Sequence, residues 1–363
     1  MPGRAHCPRG RSVNPATVST LRFPAEWEPQ SAVLIAWPHA GTDWAERLGE
    51  VEDTYVALVA AITRFQPVVV CLADDDLQTY AEARLRSARV DMDRVRMLAQ
   101  VEYDDTWLRD TGPITLRSGA PDSGSFKLLD FRFTGWGGKF EASRDDRLVG
   151  ELSGRDLFRD YFVQSVDFAL EGGAIETDGA GTLLTTWRCL HERHPSLSRE
   201  ELSERLAGWL RQDRVLWLEH GYLEGDDTDA HIDTLARFAA TDAIVFQACD
   251  DPDDTHHAEL SAMAAELAAL RTRDGAPYRL FPLPWAEPIL DGSRRLAASY
   301  ANFLIVDGAV LMPAYGDPAD ARAAQVLGEA FPGREIVPID CRPLIWQNGS
   351  LHCITMQLPA GLV

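Results

Sequence analysis

The feature that most constrains the fold of this chain is a short pattern of buried strands and amphipathic helices that recurs along its length. Residues 32–37 form an apolar run, which predicts a buried strand. Between residues 50 and 64, apolar side chains recur at spacings of three and four, as expected for a helix that buries one face. The apolar run at residues 67–72 predicts a second buried strand. This order of strand, helix and strand favours an α/β fold.

The same pattern returns later in the chain with a hairpin added. Residues 302–306 and 310–313 predict two strands, and the Asp307-Gly308 pair between them is typical of a two-residue hairpin turn. A helix over residues 319–330 and a strand over residues 335–338 follow. The unit is therefore strand–strand–helix–strand.

Two other segments contain parts of this unit. Residues 174–186 predict a hairpin around Asp178-Gly179, and residues 243–249 predict a strand that precedes a helix over residues 260–270. The copies share no clear sequence identity, and no low-complexity linker separates them. We therefore expect residues 21–363 to form a single catalytic domain.

The first twenty residues differ from the rest of the chain. Residues 1–20 are basic, contain several proline and glycine residues, and lack the apolar central run of a signal peptide. We expect this segment to be a disordered leader. No run in the chain approaches the roughly 18 apolar residues of a membrane span, so no membrane partner is expected.

Charge and cysteine content narrow the function. The formal net charge of −21 argues against nucleic acid as a partner, because a polyanion requires a basic surface. It suits a small cationic substrate, although acidity is also a common solubility feature. The cysteines are scattered and form no C-x-x-C pair, which argues against a disulfide framework or a zinc site and favours a cytoplasmic location. They are Cys7, Cys71, Cys189, Cys249, Cys341 and Cys353.

Polar residues cluster in four short segments, each beside a predicted strand. The segments span residues 104–113, 170–173, 225–233 and 347–353, and each contains glycine. Loops at strand ends are where α/β folds place their sites. Together the four segments supply a thiol, a histidine and several carboxylates. A cysteine–histidine pair suits nucleophilic catalysis, and carboxylates suit a planar guanidinium, which they bind in a forked geometry.

These segments resemble those of the agmatine deiminases, a family within the guanidino-group-modifying superfamily. Any one motif is weak, but six in the same order are specific, and the resemblance extends from about residue 21 to the C-terminus. The matching stretches are Phe23-Pro24-Ala25-Glu26-Trp27, Trp107-Leu108-Arg109-Asp110-Thr111-Gly112-Pro113, Trp136-Gly137-Gly138-Lys139, Glu171-Gly172-Gly173, Gly225-Asp226-Asp227-Thr228-Asp229 with His231 and Asp233, and His352-Cys353-Ile354-Thr355.

The resemblance implies a fold and a set of catalytic roles. The fold is a five-bladed, pseudo-symmetric α/β propeller of repeated ββαβ units with its site in a central channel. Cys353 is the implied nucleophile, His231 the proton donor and acceptor, and Glu171 a partner that tunes His231. No cofactor and no metal are implied. A buried structural cysteine is the competing interpretation of Cys353.

The remaining implied roles concern substrate binding. Asp110 and Asp233 would clamp the guanidinium nitrogens, and Trp107 would supply a flat wall. His231 and Asp233 are two residues apart, so in extended chain they face the same side. His352 adjoins the nucleophile, but on a strand it would point to the opposite face, which favours His231 as the catalytic imidazole. Ordinary solvated acids and a core tryptophan are the competing interpretations.

The reaction implied is hydrolysis of agmatine to N-carbamoylputrescine and ammonia through a covalent amidino-cysteine. Residues 345–350 depart from the glycine run that agmatine deiminases carry there, which leaves open another guanidine, such as peptidylarginine or an arginine-like molecule. Two other classes remain: a metal-dependent amidohydrolase built on His231, Asp233 and Asp229, and a silent binder of cationic ligands. The sequence leaves open whether the chain forms a homo-oligomer.

Overall fold

The structure, a computed structural model, describes residues 21–119, 124–155, 157–158 and 160–363. The expected leader at residues 1–20 lies outside the described residues. In chain order the strands are β1 (Gln30–Ala36), β2 (Val68–Cys71), β3 (Val95–Leu98), β4 (Ile114–Arg117), β5 (Phe126–Arg132), β6 (Phe162–Ala169), β7 (Ile175–Thr177), β8 (Thr182–Thr186), β9 (Arg214–Leu218), β10 (Ala236–Ala240), β11 (Ala243–Gln247), β12 (Arg279–Leu283), β13 (Leu290–Asp291), β14 (Arg294–Arg295), β15 (Leu304–Val306), β16 (Ala309–Ala314), β17 (Glu335–Asp340) and β18 (Met356–Pro359).

The helices alternate with these strands. They are α1 (Leu48–Ile62), α2 (Asp75–Ser87), α3 (Leu108–Thr111), α4 (Gly135–Gly138), α5 (Leu148–Ser153), α6 (Trp187–Arg193), α7 (Arg199–Leu210), α8 (His257–Ala269), α9 (Ala319–Ala330) and α10 (Arg342–Ile345). Short 3-10 turns lie at Ala45–Arg47, Met92–Arg94, Asp145–Arg147, Gly172–Ala174 and Ile232–Thr234. In α4, Trp136 and Gly137 have positive φ, so this element is a tight turn rather than a regular helix.

Four sheets of the same topology contain the repeated unit. Their strand orders are β4-β5-β6, β7-β8-β9, β10-β11-β12 and β15-β16-β17. In each, the central strand pairs antiparallel with the strand before it and parallel with the strand after it. The parallel partner is reached through one or more helices, as a parallel crossover requires. This is the strand–strand–helix–strand unit that the sequence predicts.

A fifth sheet joins the two ends of the described chain. Its order is β18-β1-β2-β3, and the C-terminal strand β18 pairs antiparallel with the N-terminal strand β1. The strands β2 and β3 then continue the sheet in parallel. A small ribbon of β13 and β14 stands apart from these sheets.

The predicted hairpins and helices are confirmed. Asp307-Gly308 joins β15 to β16, and Asp178-Gly179 lies in the turn between β7 and β8; both glycines have positive φ, which glycine adopts without steric cost. The apolar stripe of α1 is fully buried, as are the valines of β2. Side chains at spacings of three and four face one side of a helix, and here that side packs on the sheets.

The turns that precede the first strands of four sheets lie close together. The turns α3, Gly172–Ala174, Ile232–Thr234 and residues 351–354 precede β4, β7, β10 and β18 respectively. Hydrogen bonds join them: the Arg109 amide donates to the Cys353 carbonyl (3.0 Å), and the Gly173 amide donates to Asp110 Oδ1 (2.8 Å). Equivalent points of different units thus converge, and they carry the polar segments.

Within the residues that the structure describes, no helix has the length and apolar character needed to cross a membrane.

Candidate active site

A cavity of about 530 Å³ lies over these converging turns. Cys353, Trp107 and Asp110 line it, and Arg294 is the one basic residue among its described lining residues. The acidic lining residues are Asp43, Asp104, Asp105, Asp110, Glu141, Asp145 and Asp227. A concave site with seven carboxylic acids and one arginine attracts cations and disfavours anions.

Cys353 lies in the turn before β18, and its side chain is almost entirely buried. Asn302 holds this turn: its Oδ1 accepts from the Cys353 amide (3.3 Å) and lies 3.4 Å from Sγ. Sγ is also 3.8 Å from Asp233 Oδ2. Burial, followed by the negative charges of Asp233 and Asp110, raises the pKa of the thiol well above its usual range. A cation bound beside these carboxylates would offset their effect and favour the thiolate.

Asp110 is fixed by two donors. The indole Nε1 of Trp136 donates to Oδ2 (2.9 Å), and the Gly173 amide donates to Oδ1 (2.8 Å). Burial raises the pKa of Asp110 to about 6, and the neighbouring Asp233 and Glu171 act in the same direction. At Gly173, a Cβ would lie 2.6 Å from His231 Nδ1 and 2.8 Å from Asp110 Oδ1. Only glycine therefore allows this close approach.

The His231 imidazole lies between two carboxylates. Nδ1 is 3.7 Å from Asp110 Oδ1, and Nε2 is 3.8 Å from Glu171 Oε2. Neither ring nitrogen has a hydrogen-bond partner among the described residues, although the side chain is buried. Burial alone would lower the pKa of His231, but Asp110, Cys189 and Glu171 together raise it well above its usual range. These neighbours therefore favour the protonated imidazole, the form that can donate a proton.

Glu171 is oriented by a cation that the sequence analysis did not identify. Arg193, at the end of α6, donates from Nε to Glu171 Oε1 (2.6 Å) and from Nη1 to Asp229 Oδ2 (2.6 Å). Burial opposes ionisation of Glu171, but His231 and Arg193 outweigh it and lower its pKa. Glu171 therefore stays negative beside His231, and Arg193 ties its carboxylate to the loop that precedes His231.

Two expectations about histidine geometry are wrong. His231 and Asp233 do not lie in extended chain, because a 3-10 turn, Ile232–Thr234, contains Asp233; they still reach one site, since both Asp233 Oδ1 and His231 Nδ1 lie near Gly173. His352 lies in a turn rather than on a strand, and its ring points inward, not to the opposite face. Nδ1 is 2.7 Å from Asp233 Oδ2 and Nε2 is 2.7 Å from Glu26 Oε2.

The Asp233 carboxylate consequently has one occupied and one free oxygen. Oδ2 is engaged by His352, whereas Oδ1 is buried without a hydrogen-bond partner among the described residues. Burial opposes ionisation of Asp233, but His352 lowers its pKa below the usual value. Behind His352, Glu26 also accepts from Arg237 Nη2 (2.8 Å). An ionised carboxylate with one free oxygen beside Asp110 is suited to a guanidinium N–H.

Trp107 lines the cavity and packs against Trp44 at a ring-centroid distance of 5.6 Å. A Cβ at position 349 would lie 2.1 Å from the Trp107 ring, so Gly349 allows the preceding loop to approach this ring. Trp346, Gln347 and Asn348 of the same loop also line the cavity. The segment that departs from the agmatine deiminase pattern therefore shapes the space in which the rest of a substrate lies.

The acid-rich loop before His231 both lines the cavity and braces the site. Asp227 accepts from Asn348 Nδ2 (2.9 Å) and lines the cavity. Asp229 faces Arg193 and Lys139 (2.8 Å), which makes it a poor candidate for the metal set of His231, Asp233 and Asp229. In the described part of the chain, the one group whose ligand atoms lie close enough to share a metal ion is Glu171, Cys189 and His231.

The residues that sequence reasoning missed are mostly partners of the expected ones. Asn302 contacts the Cys353 thiol, and Arg193 holds Glu171. His352 holds Asp233, and Glu26 in turn holds His352. The sequence placed Trp136 near the site only as part of a turn. In the structure its indole N–H donates a hydrogen bond directly to Asp110. Glu26 and Trp136 lie within the stretches that match the agmatine deiminases, and this match was the one sequence signal that could have pointed to a role for them in the site.

A buried thiol, an imidazole between carboxylates and repeated ββαβ units are together typical of deiminase-type α/β proteins. The chain belongs to the Porphyromonas-type peptidyl-arginine deiminase family, whose sequence model matches residues 22–359. The resemblance stated from the motifs is thereby confirmed.

Individual relatives refine this assignment. An agmatine deiminase of Stutzerimonas stutzeri is 35% identical over 94% of this chain and 96% of its own. The structure of a C. jejuni agmatine deiminase, determined as a Cys-to-Ser variant with substrate bound, is 32% identical, has a TM-score of 0.86, and covers 96% of this chain and 98% of its own. A Porphyromonas gingivalis structure provisionally assigned as an arginine deiminase is 44% identical, with a TM-score of 0.83 over 94% and 99% of the two chains.

Proposed function

We propose that this protein hydrolyses agmatine to N-carbamoylputrescine and ammonia through a covalent amidino-cysteine. The observation that carries the proposal is that Cys353 and Asp110 line one acidic cavity and each lies against a further catalytic group. Cys353 Sγ is 3.8 Å from Asp233 Oδ2, and Asp110 Oδ1 is 3.7 Å from His231 Nδ1. Relatives that match nearly the whole chain are agmatine deiminases. In the C. jejuni protein a serine replaces a cysteine and the substrate remains bound, which is consistent with a cysteine nucleophile.

In the first half of the reaction Cys353 attacks the guanidinium carbon. Asp233 Oδ1 and Asp110 accept hydrogen bonds from the guanidinium N–H groups, and the bound cation lowers the cost of forming the thiolate. The C–S bond forms and one C–NH₂ bond breaks. The thiol proton passes to solvent as the thiolate forms. His231 gives its own proton to the departing nitrogen, which leaves as ammonia, and the imidazole is then neutral. The covalent step divides a resonance-stabilised displacement into two smaller barriers.

In the second half water replaces sulfur. The neutral His231 takes a proton from the water as the oxygen bonds to the amidino carbon. The C–S bond then breaks, and the proton of the added hydroxyl passes to the departing sulfur, which releases the ureido product and the free thiol. Glu171, 3.8 Å from Nε2, stabilises the protonated imidazole in both halves. Asp110, Asp233 and Trp107 hold the substrate throughout.

We also propose that the five sheets are the blades of a five-bladed, pseudo-symmetric α/β propeller, formed by residues 21–363 as a single catalytic domain. The support is the common strand order and the convergence of equivalent turns on one centre. The pairing of β18 with β1 would close the ring. A cytoplasmic location remains our expectation, as does the absence of nucleic-acid and membrane partners. Homo-oligomerisation stays open.

A second candidate substrate is free arginine or an arginine-like molecule. The observation that favours it is Arg294, an exposed cation in the cavity lining that would pair with a substrate carboxylate. Its guanidinium already donates to Asn348 Oδ1 (2.9 Å) and to the Trp346 carbonyl (2.5 Å). The predominance of acids around it suits the terminal ammonium of agmatine better than a carboxylate.

The test measures ammonia release from agmatine, free arginine and an arginine peptide by purified protein without added metal. We expect the highest kcat/KM for agmatine and no turnover by Cys353→Ala. An arginine preference that Arg294→Gln abolishes would support the second candidate instead. Activity that a chelator abolishes would support the metal-dependent amidohydrolase. Binding of agmatine without ammonia release by the wild type would support the silent binder.

A further inference from the structure

Cys189 lies against the catalytic imidazole, and none of the steps above uses it. It is the third residue of α6, where its amide donates to the hydroxyl of the N-cap Thr186 (3.4 Å), and its thiol is fully buried. One ligand atom from each of Glu171, Cys189 and His231 lies within 4.8 Å of the other two. Three different metal-binding side chains therefore meet beside the catalytic imidazole.

Two of the three ligand atoms have no hydrogen-bond partner in the part of the chain that the structure describes. His231 Nε2 and Glu171 Oε2 are 3.8 Å apart, both buried, and neither is bonded to another described residue. Arg193 holds the other oxygen of Glu171, so Oε2 is left directed at the imidazole. Buried polar atoms are seldom left without a partner, and such atoms indicate a site for a ligand, water or ion.

The chemistry of this set matches zinc. Zn²⁺ takes thiolate, imidazole and carboxylate ligands at roughly 2.0–2.3 Å in a tetrahedron, which separates ligand atoms by about 3.3–3.6 Å. The His231–Glu171 separation of 3.8 Å is close to this value, and the Cys189 ligand atom, within 4.8 Å of both, would move closer on binding. One thiolate and one carboxylate neutralise the dication. Asp110 Oδ1 lies 3.7 Å from His231 Nδ1, on the side of the ring where metal-bound imidazoles usually have an outer carboxylate.

We propose that Glu171, Cys189 and His231 form an inhibitory zinc site, with water as the fourth ligand. Binding replaces the thiol proton of Cys189, and any proton on His231 Nε2, with the metal, and these protons pass to solvent. With zinc on Nε2 the imidazole has no free lone pair to accept a proton from water. Its remaining Nδ1–H is a far weaker acid than an imidazolium, so proton delivery to the leaving nitrogen fails and turnover stops. The inhibitory effect rests on the proposed role of His231, whereas metal binding itself does not depend on that role.

The test measures bound zinc on the full chain. Metal-free protein receives one equivalent of zinc sulfate, is desalted, and its zinc content is measured by atomic emission. We expect one zinc per chain in the wild type and in Cys353→Ala, and at least tenfold weaker binding in Cys189→Ser. Cys71→Ser, which changes a buried cysteine of β2, serves as the matched control and should bind as the wild type does. Glu171→Gln provides a second ligand variant should Cys189→Ser fold poorly.

Equal zinc binding by Cys189→Ser and the wild type would overturn the site, as would loss of zinc in Cys353→Ala. Ammonia release is then measured with and without zinc, and the ratio is compared between variants so that differences in basal rate cancel. We expect zinc to reduce the wild-type rate at least tenfold and a chelator to restore it. Zinc that binds as described without slowing the enzyme would overturn inhibition. A wild type inactive in both conditions would contradict the proposed function, while the zinc content would still decide the site.

Discussion

Replacing His352 by glutamine or asparagine separates its two contacts. The amide nitrogen of asparagine occupies about the position of imidazole Nδ1, and that of glutamine about the position of Nε2. His352→Asn should therefore keep the donor to Asp233 and lose the link to Glu26. His352→Gln should keep Glu26 and lose the donor to Asp233. Both contacts are 2.7 Å and buried, so neither is replaced easily by solvent.

The size of the effect follows from the contact that is lost. A hydrogen bond to a charged group contributes about 1.5–3 kcal/mol. Each 1.4 kcal/mol corresponds to roughly tenfold in an equilibrium constant. If Asp233 binds the guanidinium through Oδ1 while His352 fixes Oδ2, His352→Gln should lower kcat/KM for agmatine by about 10–150-fold. Most of the loss should appear in KM, since a misoriented carboxylate binds substrate poorly. His352→Asn should stay within a few-fold of the wild type.

The pH profile distinguishes positioning from a general structural effect. His352 lowers the pKa of Asp233, so its N–H favours the ionised carboxylate that binds the substrate. Without that N–H the pKa rises, and the acid limb of kcat/KM in His352→Gln should move to higher pH. The assay is ammonia release between pH 4 and 9, with thermal unfolding of each variant measured in parallel. Equal losses in both variants, or losses that follow unfolding temperature with no shift of the acid limb, would refute this account of His352.

The remaining predictions address other parts of the site. Because Asp110 has a pKa of about 6 and must be ionised to bind a guanidinium, the KM for agmatine should rise as pH falls through 6; a KM that is flat from pH 5 to 8 would contradict this. Gly349→Ala should raise KM at least tenfold, since its Cβ would meet the Trp107 ring, whereas Gly316→Ala, at an open position of positive φ, should reduce only the unfolding temperature. Arg193→Gln should slow kcat more than it raises KM, because Glu171 loses the donor that orients it; an unchanged kcat would exclude that role.

The sequence predicted secondary structure best where burial imposes a period. The stripe of α1 and the turns at Asp178-Gly179 and Asp307-Gly308 were recoverable because spacing and turn chemistry are local properties. The number of units and their common centre depend on contacts between distant segments. The pairing of β18 with β1 is one example, since nothing local in either strand specifies its partner.

The candidate site likewise has features that local sequence predicts and features that depend on contacts between distant segments. Glycine-rich polar loops indicated where the site lies, and the family resemblance supplied the roles of Cys353 and His231. The partners that hold these groups were missed because they are remote in sequence: Glu26 and His352 are 326 positions apart, and Asn302 and Cys353 are 51 apart. The strand assumed at His352 also gave the wrong orientation, because the chain turns before β18 begins.

The central claim is that Cys353 carries the reaction covalently. Acid quenching of the wild type during turnover of agmatine, followed by proteolysis and mass spectrometry, tests it most directly. We predict that the peptide containing Cys353 gains the mass of agmatine less ammonia, and that no other cysteine is modified. Ammonia release with Cys353 unmodified under the same quench, or an adduct on another cysteine, would contradict the account.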